Sequence, residues 1–460
     1  MLQVAEELAG YRLEFERFER ADAGRRPEWI SRIRTAAFDR FVELGFPTTR
    51  LEEWKYTNVA PIAKTPFRRA GQAWNTLPVE SIEPFTLEKD ACAQLVFVNG
   101  HYTPELSFFG KLPDGVVVSS LATALTCDPA AVEPHLARYA DDRNQAFIAL
   151  NTAFIEDGAF VFIPQDTMME APVHLLFVSS PPVPAGFKRG ADDEGGFATV
   201  SYPRNLFVVG SHSQAHFVES YVGVRDGVYC ANAVTEIVGG ENAVIDHYKV
   251  QQESKKAFHV ATVQAQLGCG STFSSCAIDL GGGLVRNDLN ASLDGEGAEC
   301  TLNGLYMVTD RQHVDNHTRI DHIRPNCSSR QLYKGILGEQ SRGVFNGKIV
   351  VHKAARSTDA RQVNKNLLLS EDAVIDSKPQ LEIFNNDVKC THGTTIGQHN
   401  QDAIFYLRSR GIDPTAARSL LTYAFASELL GHIAIKPIRA RLEALLLARL
   451  GNGSIPEEAS

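Results

Sequence analysis

Residues 205–210 read Asn-Leu-Phe-Val-Val-Gly, a short apolar run that ends in a glycine and leads into a polar turn. A run of this length and composition, bounded by a turn signal, is typical of a buried β-strand. The same succession recurs along the chain, with turns that begin at Gly210, Gly239, Gly268, Gly295 and Pro325, at intervals of 29, 29, 27 and 30 residues. This near-constant period, without helices between the strands, predicts the coils of a parallel β-helix, and a β-sandwich is the alternative.

The β-rich pattern extends over about residues 91–400, and helical patterns flank it. One predicted helix before it has an apolar face made of Ile30, Ile33, Ala37, Phe41 and Leu44. After it, Asp413 is a suitable N-cap residue in front of Pro414 at the first helical position. We therefore predict a mainly β chain with a helical region at 1–90, a β-helix core at 91–400 and a second helical region at 401–460.

The bulk composition excludes several classes of protein. A formal net charge of -10 disfavours binding to nucleic acid, which requires clustered basic side chains. The sequence contains neither an apolar run long enough to cross a bilayer nor the pattern of a signal peptide, so we expect no membrane contact and a cytoplasmic location. The eight cysteines are scattered without a CxxC pair, which fits a reducing compartment and small, buried thiols.

A glycine-rich stretch at residues 342–348, RGVFNGK, has some likeness to a phosphate-binding loop. Its glycines, Gly343 and Gly347, are one residue too close together for a Walker A loop. Ile349 follows the lysine, so no hydroxyl is available to bind magnesium. We predict turns or strands here and no nucleotide bound by this chain.

A second polar stretch at residues 313–322, HVDNHTRIDH, alternates in a way that suits a strand. Alternation places five of its side chains on one face, namely His313, Asp315, His317, Arg319 and Asp321. Imidazoles and carboxylates on one face are potential metal ligands. The guanidinium of Arg319 would instead pair with a neighbouring aspartate, so a polar ladder without metal is the simpler interpretation.

The stretch FNNDVKCTHG, residues 384–393, contains the third candidate site. On an extended segment Val388, Cys390 and His392 project to one side. A thiol and an imidazole two residues apart are close enough to bind the same metal or sulfur species, and a nearby imidazolium lowers a thiol pKa. A buried thiol beside a hydrogen-bonded histidine is the alternative.

Several of these stretches together resemble the SufB/SufD family of the SUF iron–sulfur cluster assembly system. The matching segments are EWKYT at 53–57, HTRIDH at 317–322, RGVFNGKIVVH at 342–352, NKNLLLS at 364–370, FNNDVKCTHG at 384–393 and FYLRSRGI at 405–412. Residues WKYT and KCTHG favour the SufD branch over the SufB branch.

This resemblance implies a right-handed parallel β-helix in a noncatalytic scaffold subunit. It further implies a heterodimer with SufB through the β-helix, with His392 first and Cys390 second as residues that meet a transient iron–sulfur cluster at the interface. The ATPase SufC is expected to dock on the C-terminal helices, where our predicted contact residues are Leu420, Leu421, Phe425 and Leu429.

Two rival functions remain open from the sequence. A carbohydrate-active β-helix enzyme would need acidic residues in a groove and is normally secreted, which the N-terminal sequence and the terminal helices disfavour. An iron-holding or purely structural subunit would share the fold but would not need His392 for cluster assembly.

Overall fold

The computed structural model describes residues 2–22, 24–70, 77–87, 90–180 and 198–450, with side chains from residue 8 onward in these ranges. Within them the α-helices are α1 (Leu2–Asp22), α2 (Glu28–Leu44), α3 (Ala60–Lys64), α4 (Leu121–Cys127), α5 (Pro129–Val132), α6 (Ala146–Ala153), α7 (Gln401–Ser409), α8 (Pro414–Leu430) and α9 (Lys436–Leu450). The last ten residues of the predicted C-terminal region, 451–460, lie outside the described residues.

The strands are short near the N-terminus and about ten residues long from β10 onward. They are β1 (Phe67–Arg69), β2 (Ala93–Val98), β3 (His101–Tyr102), β4 (Phe108–Phe109), β5 (Val117–Ser120), β6 (Ala159–Ile163), β7 (Val173–Ser179), β8 (Ala198–Ser201), β9 (Arg204–Val209), β10 (Gln214–Gly223), β11 (Tyr229–Gly239), β12 (Val244–Gln252), β13 (Phe258–Leu267), β14 (Thr272–Asp279), β15 (Leu284–Leu293), β16 (Glu299–Val308), β17 (His313–His322), β18 (Ser328–Leu337), β19 (Arg342–Val351), β20 (Thr358–Leu368), β21 (Val374–Ile383) and β22 (Val388–Gly397).

Strands β9 to β22 alternate between two parallel sheets. The odd-numbered strands pair with one another in one sheet, and the even-numbered strands pair in the other. Each coil therefore contributes one strand to each sheet, and about seven coils stack into a solenoid. This topology confirms the predicted parallel β-helix and excludes the β-sandwich. Helices α4, α5 and α6 lie between β5 and β6, where the strand pattern of the sequence gave no sign of them.

Glycine-rich turns stack at one corner of the solenoid. The amide N–H of Gly240 donates to the carbonyl of Val209 at 2.9 Å, and that of Gly268 donates to the carbonyl of Gly239 at 2.9 Å. A Cβ atom added to Gly295 would lie 2.0 Å from the carbonyl carbon of Gly268, so only glycine permits this approach of adjacent turns. The close stacking explains why glycine recurs at the coil period.

Inward-facing side chains form columns that run along the solenoid, because the register is kept from strand to strand. One apolar column of residues that are at most 1% exposed contains Phe207, Ile237, Ala265, Ala291, Ile320 and Ile349. A single coil could not bury such residues, since its interior stays open above and below until adjacent coils cover it. Stability therefore depends on several stacked coils.

Polar groups also lie inside the solenoid, near β10 to β13. The carboxylate of Glu219, which is 1% exposed, accepts hydrogen bonds from Tyr221 at 2.7 Å and Thr235 at 2.8 Å and lies 3.2 Å from Nε2 of His247. Burial alone would raise the pKa of Glu219, but the contact with His247 and these hydrogen bonds hold the pKa below its usual value. A buried charge is tolerated here because neighbouring columns supply its partners.

Helix α2 buries only part of its predicted apolar face. Ile30 and Phe41 are fully buried, whereas Leu44 is 36% exposed at the end of the helix. Arg34 takes a buried position instead, where its guanidinium donates to the carbonyl of Ile155 at 2.9 Å and pairs with Asp22 at 2.7 Å. The buried face of α2 was predicted from apolar residues alone. The prediction therefore missed Arg34, which is buried on the same face with its hydrogen bonds and charge paired.

Helices α8 and α9 cover the outer face of the sheet formed by the even-numbered strands. Apolar side chains of the helices, including Leu430 and Leu442, form one buried cluster with Ile278, Leu305 and other outward-facing residues of the sheet. Asp413 caps α8, as predicted, and accepts from the amide of Thr415 at 2.7 Å. Within the described ranges, none of the helices combines the length and apolar character needed to cross a bilayer.

We expect Gly295→Ala to destabilise the solenoid, because its new Cβ would overlap the backbone of the adjacent turn. The expected loss in the free energy of unfolding is about 2 kcal/mol or more. Gly338→Ala is the matched control, since a Cβ at this other turn glycine would meet its nearest atom at an ordinary 3.5 Å. Thermal unfolding of both variants measures the difference, and equal midpoints would contradict the stacking argument.

Candidate functional site

The last coil, formed by β21 and β22, is open. Among the described strands β21 pairs with β19 alone and β22 pairs with β20 alone, so each leaves one edge without a backbone partner. Every residue of both strands is at least partly exposed. Apolar side chains share this exposure: Val374 is 47%, Phe384 57% and Ile396 50% exposed. The end coil thus combines unpaired strand edges with exposed apolar side chains.

His392 and Cys390 lie on β22 in columns that face the interior of the solenoid. His392 is in register with Gln362, which is fully buried, and Gln362 with the buried Gln331. Cys390 is in register with Ala360, which is 1% exposed. His392 is therefore exposed because no further coil covers it, although its column points inward. Both predicted residues lie on this open end, on the same side of the strand.

The two side chains differ in chemical availability. The thiol of Cys390 is partly buried and packs against a small apolar cluster that includes Ile349, Val351 and Ala360. Burial raises the pKa of Cys390, which disfavours the thiolate needed to bind a metal. His392 is exposed, and no described residue hydrogen-bonds its ring. The imidazole is the more accessible ligand of the pair.

The polar stretch at 313–322 performs a different task. Arg286 on β15 donates to the Asp315 carboxylate at 2.7 Å and to the carbonyl of Glu53 at 2.9 Å, and its guanidinium lies over the Trp54 ring at 4.4 Å. Thr57 donates to Asp315 at 2.5 Å. The N-terminal segment 53–57 is thereby fastened to the outer face of the odd-numbered sheet. We call this segment the strap.

The charged side chains under the strap pair with one another: Asp315 lies 2.7 Å from Arg286 and 3.0 Å from His317. Burial would raise the pKa of Asp315, yet the charge of Arg286 and the contacts with His317 and Thr57 hold the pKa well below its usual range. Arg319 pairs with Asp321 at 2.6 Å, as the polar-ladder interpretation predicts. In the part of the chain that the structure describes, no group of three or more His, Cys, Asp or Glu side chains is arranged to hold a metal ion. The metal interpretation of this stretch is not supported.

Comparison with known families agrees with this architecture. A family model described as "SUF system FeS cluster assembly, SufBD core domain" matches residues 190–425, which is just over half of the chain. A second model, described as "SufBD protein N-terminal region", matches residues 11–175. The chain belongs to the SufBD family. The resemblance predicted from the sequence motifs is therefore confirmed.

Relatives of this SufBD-family chain align over nearly its whole length. An iron-sulfur cluster assembly SufBD family protein of Synechocystis is 35% identical over 90% of this chain and 90% of its own length. The iron-sulfur cluster assembly protein SufD of Escherichia coli is 28% identical over 90% of this chain and 92% of its own. The SufD protein of Bacillus subtilis is 24% identical, over 91% and 94% respectively.

The predicted docking residues of this SufBD-family chain are unequally placed on α8. Leu429 is fully buried in the cluster between the helices and the sheet, so its side chain stabilises this chain and is not available to a partner. Phe425 is half-buried, with the Lys334 ammonium 4.5 Å from its ring centroid. Leu420 and Leu421 remain half-exposed. An apolar stripe at helical spacing does not reveal which of its members face the chain's own core.

Helix α7 of the SufBD-family chain presents a surface that the sequence reading did not select. Phe405 is 73% exposed and Tyr406 56% exposed, side by side at the surface. Both belong to the FYLRSRGI segment, which was used only for the family resemblance. The sequence signal that could have indicated this surface was the pair of adjacent aromatic residues on a short predicted helix.

A buried lysine connects α8 to the solenoid. The Lys334 side chain is fully buried, and its Nζ donates to the carbonyl of Phe425 at 2.7 Å and to the carboxylate of Glu428. Lys365, which is in register with Lys334 on the next coil, donates to Glu428 at 3.2 Å. Glu428 therefore bridges two coils, and the second of these, through β20, pairs with the strand that carries His392.

We expect Asp315→Asn to loosen the strap, because Arg286 loses a buried counter-charge. Breaking a buried ion pair from one side costs about 3 kcal/mol. Thermal unfolding and the rate of proteolytic cleavage near residues 50–57 measure the effect. Asp359→Asn is the control, since its pair with Arg330 is half-exposed and should contribute about 1 kcal/mol or less. Equal stability of the two variants would show that the buried network does not hold the strap.

Proposed function

We propose that this SufBD-family chain is a SufD-type scaffold subunit, which pairs with SufB through its open end coil and contributes His392 to an iron–sulfur cluster that forms at the joint. The observation that carries the proposal is the inward-facing column that ends at an exposed imidazole on an uncovered coil. The chain would act in the cytoplasm without catalytic activity of its own.

The open coil supports the proposal because its exposure is costly without a partner. Two strands of ten residues leave their edges unpaired, and exposed sheet edges readily bind another strand. The exposed Val374, Phe384 and Ile396 add apolar surface beside them. A sister subunit of the same family, whose own β-helix would also end in strand edges, is the proposed partner.

The proposed ligand chemistry follows from the two side chains at this end. Imidazole is a borderline ligand and thiolate a soft ligand, and both suit iron. His392 would bind from this chain, while the partly buried Cys390 would mainly shape the floor of the site. Few ligands from each subunit would hold the cluster loosely enough for transfer to an acceptor protein.

Docking of SufC is proposed on the C-terminal helices, through the aromatic pair Phe405 and Tyr406 on α7 together with Leu420 and Leu421 on α8. Large exposed aromatic residues often dominate binding energy at protein interfaces. SufC would hydrolyse ATP, and its movement would reach the end coil through the Lys334–Glu428–Lys365 contacts. These contacts support the proposed coupling because they join α8 to the two coils that precede β22.

We expect His392→Ala to lower cluster assembly by about tenfold or more, as for the loss of other metal-site residues. The complex with SufB and SufC should still form, because the backbone edges remain. Reconstitution with iron and sulfide, followed by absorbance, measures assembly, and size-exclusion chromatography measures the complex. Thr391→Ala, on the same strand but the opposite face, is the control. Normal assembly by His392→Ala would favour the purely structural subunit.

We expect the double substitution Phe405→Ala and Tyr406→Ala to weaken SufC binding by about tenfold or more, since exposed aromatic anchors contribute more than 1.4 kcal/mol where they are central. Calorimetric titration of SufC into the chain measures the affinity. Phe109→Ala, which removes a 49% exposed aromatic residue from β4, should leave the affinity unchanged. Equal affinities for the two variants would place the SufC contact elsewhere.

A further inference from the structure

Gln362 is a buried amide without partners directly beneath the open end coil. The residue is fully buried and in register with His392. Neither Nε2 nor Oε1 of its side chain has a hydrogen-bond partner among the described residues. Buried amides are almost always hydrogen-bonded, and leaving such a group unpaired costs about 1–3 kcal/mol. This cost calls for a partner that the isolated chain does not supply.

The preceding coil holds a glutamine in the same column by one of its two amide atoms. Gln331 is in register with Gln362, and its Nε2 donates to Oγ1 of Thr318 at 2.5 Å, whereas its Oε1 has no partner among the described residues. Thr318 is in register with Gly347 on the next coil. The coil of Gln362 therefore has a glycine where the preceding coil has the anchoring hydroxyl.

Gly347 also makes room for the amide. A Cβ atom at this position would lie 1.6 Å from Nε2 of Gln362, so the glutamine side chain crosses the interior into space that only a glycine leaves. On the end coil the same two columns hold His392 and Pro379, and proline has no side-chain polar atom. In the Gln362 column the polar neighbours are thus Gln331 on one side, whose Nε2 is held by Thr318, and the ring of His392 on the other, each one strand spacing of about 4.8 Å away.

We propose that Gln362 is a positioning residue for His392, and that its amide oxygen accepts the N–H of the imidazole once a partner covers the end coil. This inference rests on the proposed function and deepens it. A histidine that binds a metal generally donates its other ring N–H to a carbonyl or carboxylate, which fixes the tautomer and the ring orientation. Gln362 provides such an oxygen from a site that is sealed from water.

The proposed hydrogen bond between Gln362 and His392 also accounts for the unpaired amide of Gln362 in the free chain. A glutamine held by a threonine, as Gln331 is, would have one amide group already committed. With Gly347 opposite, Gln362 can turn its oxygen towards the end coil while Nε2 stays available to donate to an anionic ligand at the joint. The penalty of an unpaired amide in the free chain would then be relieved on assembly.

The test uses the reconstituted complex with SufB and SufC and measures cluster formation from iron and sulfide. Gln362→Met keeps the side-chain volume but removes both polar atoms, and we expect assembly to fall about tenfold, the scale of a lost contact behind a metal ligand. Its thermal midpoint should not fall, because two unpaired buried atoms are removed. Gln331→Met is the matched control and should assemble clusters at the wild-type rate.

Two further variants separate positioning from packing. Gln362→Glu retains an oxygen at the same place, so it should restore at least half of the wild-type rate. The double variant His392→Ala with Gln362→Met should assemble no more slowly than His392→Ala alone, since residues that act through one another are not additive. Additive losses in the double variant would overturn the inference.

Failure of this inference differs from failure of the proposed function. If His392→Ala loses assembly while Gln362→Met equals the wild type, Gln362 has no positioning role and the proposed function stands. If neither variant affects assembly, the end coil is not the site, and both fall.

Discussion

In-register stacking of parallel coils is the constraint on which the rest of this molecule depends. Each inward-facing residue is covered by the same position of the coil before and after it, so burial is a property of the stack. The turn glycines keep adjacent coils at this spacing. The rule fails at one place, the end coil, where residues that face inward are left in contact with solvent. The candidate site arises from that interruption.

Two attachments hold the solenoid from opposite faces, and both extend towards the end coil. The strap lies across the odd-numbered sheet, where Glu52 just before it pairs with Lys378 of β21. The C-terminal helices lie on the even-numbered sheet, where Glu428 bridges β18 and β20. The strap depends on buried charge pairs, and α8 depends on apolar packing together with one buried lysine. The end coil is open along its edges but supported on each side.

Local patterns in the sequence were enough to predict the parallel β-helix, because the turn glycines recur at the coil period and each strand alternates. They also placed Cys390 and His392 on one side of a strand. Contacts between distant segments could not be foreseen in this way. Arg286 and Glu53 are 233 positions apart, so the sequence offered a polar ladder or a metal site on β17 without indicating the strap that covers its side chains. The burial of Leu429 against the sheet could not be foreseen for the same reason, since spacing along a helix does not tell which neighbour covers a residue.

The contacts of Lys334 and Lys365 with Glu428 fix the distance between α8 and the end coil. The helices are fixed to particular coils, and the imidazole lies one strand beyond the last of them. Each inserted or deleted repeat would shift the end coil by about 4.8 Å relative to the helices. The number of coils is then the dimension that sets this distance, and a chain with one repeat more would carry its end coil one strand spacing farther from α8.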